Sequence, residues 1–245
     1  RSSTDKKIWT PSEYQRPQRI GLAQSNDLHK WERHPISIGK PIIDNPGPGG
    51  IFDGVAWRDP YVIRFGEKYL CFVCARITPG SQEFQAVQWD SGGCIACLES
   101  SNLTDWDLET AKVIVSPSDF YEMETPQFFW RIDGDKKRYY LLFSSWAKGI
   151  SQKRRSECSE EECQTGTYYT VSNIVDKDDW TIPSFQAKSH LLAANLYGGK
   201  IIEPESEQPV FFGFPMLDSA GHFMGGLSDP LKAHFLNSGA IEIGA

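Results

Sequence analysis

Bulky apolar residues fall in short runs separated by Gly, Pro, Asn, Asp and Ser, a pattern that predicts many short strands and few helices. Three successive stretches repeat one series of predicted strands. In the first, an inner strand from Trp57 to Ile63 is followed by strands over Lys68 to Arg76 and Gly93 to Ser100, then by an outer strand from Trp106 to Val115. The second reads Thr125 to Trp130, Arg138 to Ser145, Gly166 to Ser172 and an outer strand from Trp180 onward. The third reads Leu196 to Ile202, Gln208 to Phe214 and His222 to Ser228.

A marker closes each unit: a strand runs into Ser, then a turn with Asn or Asp, then an aromatic. It occurs at Ser25 before Trp31, Ser101 before Trp106, Ser172 before Trp180 and Ser228 before Phe235, with serine spacings of 76, 71 and 56 residues. Four strands per unit, repeated radially, is the signature of a β-propeller, so the fold class expected is all-β. The chain divides as one propeller domain over 1–245: the end of one blade at 8–43, then blades at 44–118, 119–188 and 189–245. About three and a half blades cannot close a ring, because propellers have roughly 4–8. The favoured reading is a domain incomplete at its N-terminus, the C-terminal part of a larger polypeptide; closure by a second polypeptide or subunit is the alternative. The units exceed the roughly 40–45 residues of common propeller repeats, so long loops carry the excess, and loops on a rigid scaffold are where function sits.

The 245 residues carry 25 Lys and Arg against 32 Asp and Glu, net −7, which repels a nucleic-acid backbone. No apolar run approaches the roughly 18 residues of a membrane span. An acidic chain with 8 Trp suits neutral polyhydroxylated ligands, because indole faces stack on sugar C–H surfaces and carboxylates accept from hydroxyls. Cys71, Cys74, Cys94 and Cys97 have zinc-like spacing, but each pair lies inside a predicted buried strand, where residues i and i+3 face opposite sides and four thiolates do not converge. The five His show no ligand spacing, so neither metal nor cofactor is expected. Cys158 and Cys163 bracket a polar segment that a disulfide could close, and Asn102-Leu103-Thr104 is a glycosylation sequon. A start at Arg1 without Met or a signal segment fits a processed product, and a secreted location is the expectation that follows.

Two constellations stand at the start of inner strands, where side chains point into the channel: Trp57-Arg58-Asp59-Pro60 and Glu122-Met123-Glu124-Thr125-Pro126. The prolines prevent pairing and fix chain direction, so Asp59 and Glu124 are expected to begin strands. Two carboxylates delivered to one axial cavity suit glycoside chemistry, one protonating the leaving oxygen and another staying ionised beside the oxocarbenium-like centre. Competing readings make Asp59 a turn cap or partner of Arg58, Glu124 a solvated acid replaced by Glu122, and Arg58 a structural ion pair. Trp57, Trp146 and Tyr197 are sugar-platform candidates that could equally be core, and Lys153-Arg154-Arg155 beside Glu160-Glu161-Glu162 reads as a solvated loop.

At these residues the sequence resembles glycoside hydrolase families 32 and 68, the fructan-active five-bladed propellers that include invertases, inulinases and levansucrases. Arg58-Asp59-Pro60 matches their RDP motif, and Glu124-Thr125-Pro126 is similar to their Glu-Cys-Pro motif with Thr replacing Cys; the blade endings and Tyr197-Gly198-Gly199-Lys200 fit as well. The resemblance implies a retaining glycosidase of β-fructofuranosides such as sucrose or fructans, with Glu124 as acid/base, Asp59 as transition-state stabiliser, and Arg58, Trp57, Trp146 and Tyr197 binding an oligo- or polysaccharide substrate. The family's nucleophile motif, of Asn-Asp-Pro-Asn-Gly type, does not occur; Asp53 is the nearest acid upstream of Asp59 and reads as a turn residue before Gly54. Two alternatives stay open: an inverting arabinofuranosidase or xylosidase of the related family 43, and a carbohydrate-binding propeller that lost its nucleophile.

Overall fold

The computed structural model describes residues 17–81, 84 and 87–244. The expected strand tail from Ile8 therefore lies partly outside the described residues. A two-stranded ribbon, β1 (Ala23–Gln24) and β2 (Glu32–Arg33), precedes three larger antiparallel sheets. The first takes β3 (Phe52–Phe65), β4 (Lys68–Ile77), β5 (Gly93–Ser100) and β6 (Lys112–Val115) in that order. The second is built from β7 (Glu124–Asp133), β8 (Lys136–Ser145) and β9 (Gly166–Val171); the short β10 (Val175–Asp176) pairs with β8, and β11 (His190–Ala194) forms the outer edge against β9. The one-and-a-half-turn helix α1 (Gln152–Glu157) sits in the loop between β8 and β9, capped by Ser151. The third sheet is β12 (Leu196–Ile202), β13 (Val210–Pro215), β14 (Leu231–Phe235) and β15 (Ile241–Gly244).

Period-two alternation explains how these sheets stack. Phe128, Tyr139, Leu141, Phe143 and Tyr168 face the first sheet, meeting Phe65, Phe72 and Ile95, whereas Phe129, Tyr140, Leu142 and Tyr169 face the third, meeting Ile201, Phe211 and Ala233. Ile20 and Ile43 cover the opposite face of the first sheet with Trp57, Val73 and Leu98. The first two blades are thus apolar on both faces, which is why β4 and β8 read as near-continuous hydrophobic runs. Phe128 stacks on Phe72 at 4.5 Å and 15° and on Tyr139 at 5.4 Å, tying two blades through one ring. The architecture is that of a β-propeller of the five-bladed type, of which the chain supplies about three and a half blades.

Several strand assignments need correction. The segment from Trp180 is not a strand: the indole packs edge-on against Phe65 and Trp130 at 5.2 and 5.5 Å, and the outer strand comes later, at His190. His222 to Ser228 is not a strand either, because Gly225 and Gly226 adopt φ of 65° and 77°, which breaks an extended run; β14 takes the place beside β13. Asp59 lies inside β3 rather than at its start, whereas Glu124 is the first residue of β7.

The marker serine of the second unit is Ser100, not Ser101. Ser100 Oγ accepts from the amides of Asn102 and Leu103 as Ser25 Oγ does from Asp27 and Leu28. Trp106 Nε1 donates to the Leu103 carbonyl as Trp31 Nε1 does to Leu28, and Leu28 and Leu103 have φ of 62° and 67°. The equivalent residues are therefore 75 apart. Cys94 and Cys97 face opposite sides of β5, one in each of two core layers, as strand alternation requires. Cys158 and Cys163 are not bonded to each other; Cys163 Sγ instead approaches the Arg154 carbonyl at the end of α1.

Candidate active site

The three inner strands share one irregularity. The register slips between Arg58 and Tyr61, between Glu124 and Gln127, and between Tyr197 and Lys200, so each strand carries an extra residue at the same level of its blade. The residue after the first member is left-handed in each: Asp59 at φ 58°, Thr125 at 51° and Gly198 at 62°. Arg58, Glu124 and Tyr197 are thereby structural equivalents, and the bulge turns all three toward one point. Asp59 is the counterpart of Thr125, not of Glu124, so the two acids reach the centre from different positions of their bulges.

Arg58 organises the cluster. Its Nη1 and Nη2 donate to the two carboxylate oxygens of Glu122 at 3.2 and 2.8 Å, and Nη2 also reaches Glu124 Oε1 at 2.5 Å. Gln18 Oε1 accepts from Nη1 at 3.3 Å and from the Trp57 amide at 3.0 Å, joining the segment before β1 to the site. Planar, bidentate recognition of one carboxylate while a second is held by the same nitrogen is a task for Arg rather than Lys. Tyr197 donates its hydroxyl to Glu124 Oε2, so both Glu124 oxygens have a donor and the carboxyl plane is fixed. Burial and the neighbouring Glu124 charge push the Tyr197 phenol far up, which keeps it in its protonated, donating form.

Asp59 and Lys200 clamp the peptide between them. Asp59 Oδ2 accepts from the Thr125 amide at 3.0 Å, and Lys200 Nζ donates to the Thr125 carbonyl at 2.8 Å. One residue of the middle blade is thus held by a side chain from each neighbour. Burial lowers the Lys200 ammonium to about 8 against the opposing pull of Asp59. Arg58 Nε lies 3.8 Å from Asp59 Oδ2, and the side chains of Arg58, Asp59, Glu122 and Glu124 each keep about a fifth to a quarter of their surface open to solvent.

Of the six residues singled out by sequence, Arg58, Asp59, Glu124 and Tyr197 converge. Trp146 stands beside them, half-buried, its ring 5.6 Å from that of Tyr197 and approached by Lys148 Nζ at 5.1 Å. Trp57 does not join them: its neighbour in sequence points to the axis, so alternation turns the indole into the core, where it is fully buried against Phe52 and leaves no face for a sugar. Tyr197 is held between Trp146 and Phe214 and acts through its hydroxyl rather than as an open platform. Asp53 is buried within β3 and paired with Arg76 at 3.1 Å; its Oδ1 also accepts from the Val55 amide beside Gly54 at φ 76°, a local turn within the strand, and burial raises its carboxyl to about 6 with Arg76 opposing. Gln18, Lys200 and the Thr125 backbone were not among the sequence candidates, and Glu122 was only a substitute for Glu124. Aligning Arg58-Asp59-Pro60-Tyr61, Glu124-Thr125-Pro126-Gln127 and Tyr197-Gly198-Gly199-Lys200 would have placed Lys200 at the bulge.

Stacked four- and five-stranded sheets with a carboxylate and guanidinium cluster where their inner strands converge define an acid-centred β-propeller. No family model matches the chain, and no curated protein sequence matches it significantly. Solved structures do. The chain superposes on a Bombyx mori GH32 β-fructofuranosidase variant in complex with sucrose with a TM-score of 0.58 at 16% identity, covering 91% of this chain and 43% of that one. For a sucrose-6-phosphate hydrolase from Lactobacillus gasseri the TM-score is 0.60 at 14% identity, with 91% and 41% covered. Bacillus subtilis levansucrase gives 0.57 at 11%, with 91% and 60% covered. The chain shares the fold of these proteins and spans about 40–60% of their length.

Proposed function

We propose that this chain carries the acid/base half of a retaining glycosidase acting on β-fructofuranosides such as sucrose or fructans. The observation that carries the reading is the convergence of Arg58, Asp59, Glu124 and Tyr197 from three successive blades. In the first step the Glu124 carboxyl gives its proton to the glycosidic oxygen as the bond to the fructosyl carbon breaks, while a carboxylate attacks that carbon from the opposite face. In the second, Glu124 takes a proton from water or an acceptor hydroxyl, which displaces the carboxylate and restores the original configuration. Asp59, its other oxygen turned from the Thr125 amide, accepts from furanose hydroxyls and stabilises the positive charge that develops. Asp53 does not serve as the attacking group, because it is buried and engaged by Arg76; that carboxylate comes from the remainder of the ring, outside the described residues.

Arg58 and Tyr197 each donate to one Glu124 oxygen, so the acid form that meets the glycosidic oxygen carries its proton on the oxygen that one of these donors gives up. Substitution Glu124→Gln keeps the side-chain shape, with its oxygen accepting from Arg58 and its amide nitrogen donating to the Tyr197 hydroxyl oxygen, but removes proton transfer. In a preparation with a complete ring, sucrose turnover is expected to fall by roughly 10²–10⁴-fold with KM changed only a few-fold. Unchanged turnover would remove Glu124 from the mechanism, and a first-formed product of inverted configuration by NMR would remove the retaining scheme.

A further inference from the structure

A second polar centre lies between the second and third blades, at the end of β7 opposite Glu124. Arg131 is seven residues beyond Glu124 along the strand, roughly 20–25 Å at about 3.3 Å per residue. Arg131 and Arg138 are direct cross-strand partners on β7 and β8, an arrangement of like charges that destabilises a sheet unless something offsets it. Neither guanidinium has a carboxylate partner among the described residues. Arg131 donates to the carbonyls of Pro204 and Ser206 and lies over the Phe235 ring at 4.5 Å. Arg138 donates to the Asn237 carbonyl at 3.1 Å. By contrast Arg58, Arg76 and Arg154 each pair with a carboxylate.

The two arginines line a cavity of about 270 Å³ together with Lys136, whose side chain is largely exposed at its mouth and lies 4.0 Å from Asp176. Lys137 also borders the cavity, but alternation sends its ammonium to the other face, 4.2 Å above Trp180. Asp133 is the one carboxylate in the cavity wall. Exposed Ile132, Ile174 and Leu236 form an apolar flank beside the cations. Guanidiniums anchored by carbonyls keep their charge and their orientation, which is a prepared site for an oxyanion.

We propose that this cavity is a binding site for a phosphate group, free or as a phosphomonoester, separate from the axial site. With Asp133 in the wall and Asp176 4.0 Å from the Lys136 ammonium, the two guanidiniums free of carboxylates still leave the cavity net positive, which suits a tetrahedral oxyanion, and the flank accommodates an organic substituent. The inference does not depend on the fructosidase reading. Calorimetric titration at fixed ionic strength with inorganic phosphate and with glucose 6-phosphate tests it in the full chain. Saturable one-to-one binding is expected, weakened roughly ten- to a hundredfold in Arg138→Gln and several-fold in Lys136→Gln, and unchanged in Glu124→Gln. Tighter binding of the ester assigns an organic phosphate; equal affinity assigns the free anion. If Arg138→Gln does not fold, Lys136→Gln decides, since Lys136 is exposed. Absence of saturable binding, wild-type affinity in Lys136→Gln, or loss of binding in Glu124→Gln overturns the proposal.

Discussion

Lys200 carries a charge that its surroundings oppose. In the unfolded chain its ammonium has the ordinary value of 10.5, and in the fold burial lowers it to about 8. Between these values the unfolded chain holds more protons than the native one, so this residue's contribution to stability rises with pH from about 8 to 10.5. Urea unfolding at pH 8 and at pH 10 is expected to show wild type gaining relative to Lys200→Met across that interval. A constant difference between the two proteins would mean that the ammonium is not desolvated. The comparison has to be made as a difference, because burial raises Cys71, Cys94 and Cys97, and those groups act with the opposite sign above pH 9. Arg58, Asp59 and Glu124 were legible in the sequence because each sits in a short motif beside a proline. Lys200 and Gln18 were not, because their partners stand on elements far apart in the chain and only packing brings them together. Trp57 misled for the opposite reason: an aromatic next to a catalytic-type motif looks like a ligand platform until strand alternation is applied to it.

At the scale of elements, the inner-strand bulge is the feature that converts three ordinary hairpins into one site. In β12 the bulge is made by Gly198-Gly199, and a Cβ on Gly199 would stand 2.4 Å from Thr167 Oγ1 and 2.6 Å from the Phe211 ring. Both neighbours are buried, and Thr167 Oγ1 also accepts from the Gly199 amide, so neither has room to retreat. Gly199→Ala is expected to destabilise the protein by roughly 1–3 kcal/mol in equilibrium denaturation. If it is neutral, the approach of β12 to β9 is looser than these contacts describe. Strands with continuous apolar runs, β4, β5 and β8, were placed from sequence within a residue or two. The later strands of each blade were not, because β10, β11 and β14 are short, half-exposed and bounded by loops whose turn residues resemble those of the strands before them. A two-for-one register slip leaves no trace in hydrophobic alternation either, so Asp59 was expected at a strand start when it lies within β3.

At the scale of the whole molecule, neighbouring blades share cores instead of owning them. Phe128 contacts Phe65, Phe72, Tyr139 and Phe185, reaching across the junction of the first and second sheets. Phe128→Ala is expected to cost about 3–5 kcal/mol, and hydrogen exchange should accelerate in β3 to β5 as well as in β7 to β9. Acceleration confined to β7 to β9 would show that the blades unfold independently. The equivalence of Arg58, Glu124 and Tyr197 has a historical meaning. One backbone device, copied from blade to blade, presents a guanidinium, a carboxyl and a phenol at the same address, so the chemistry at the axis is written one letter per copy. A lineage can exchange a letter in a single blade and try a new reaction while the scaffold that spells out the other positions stays as it was.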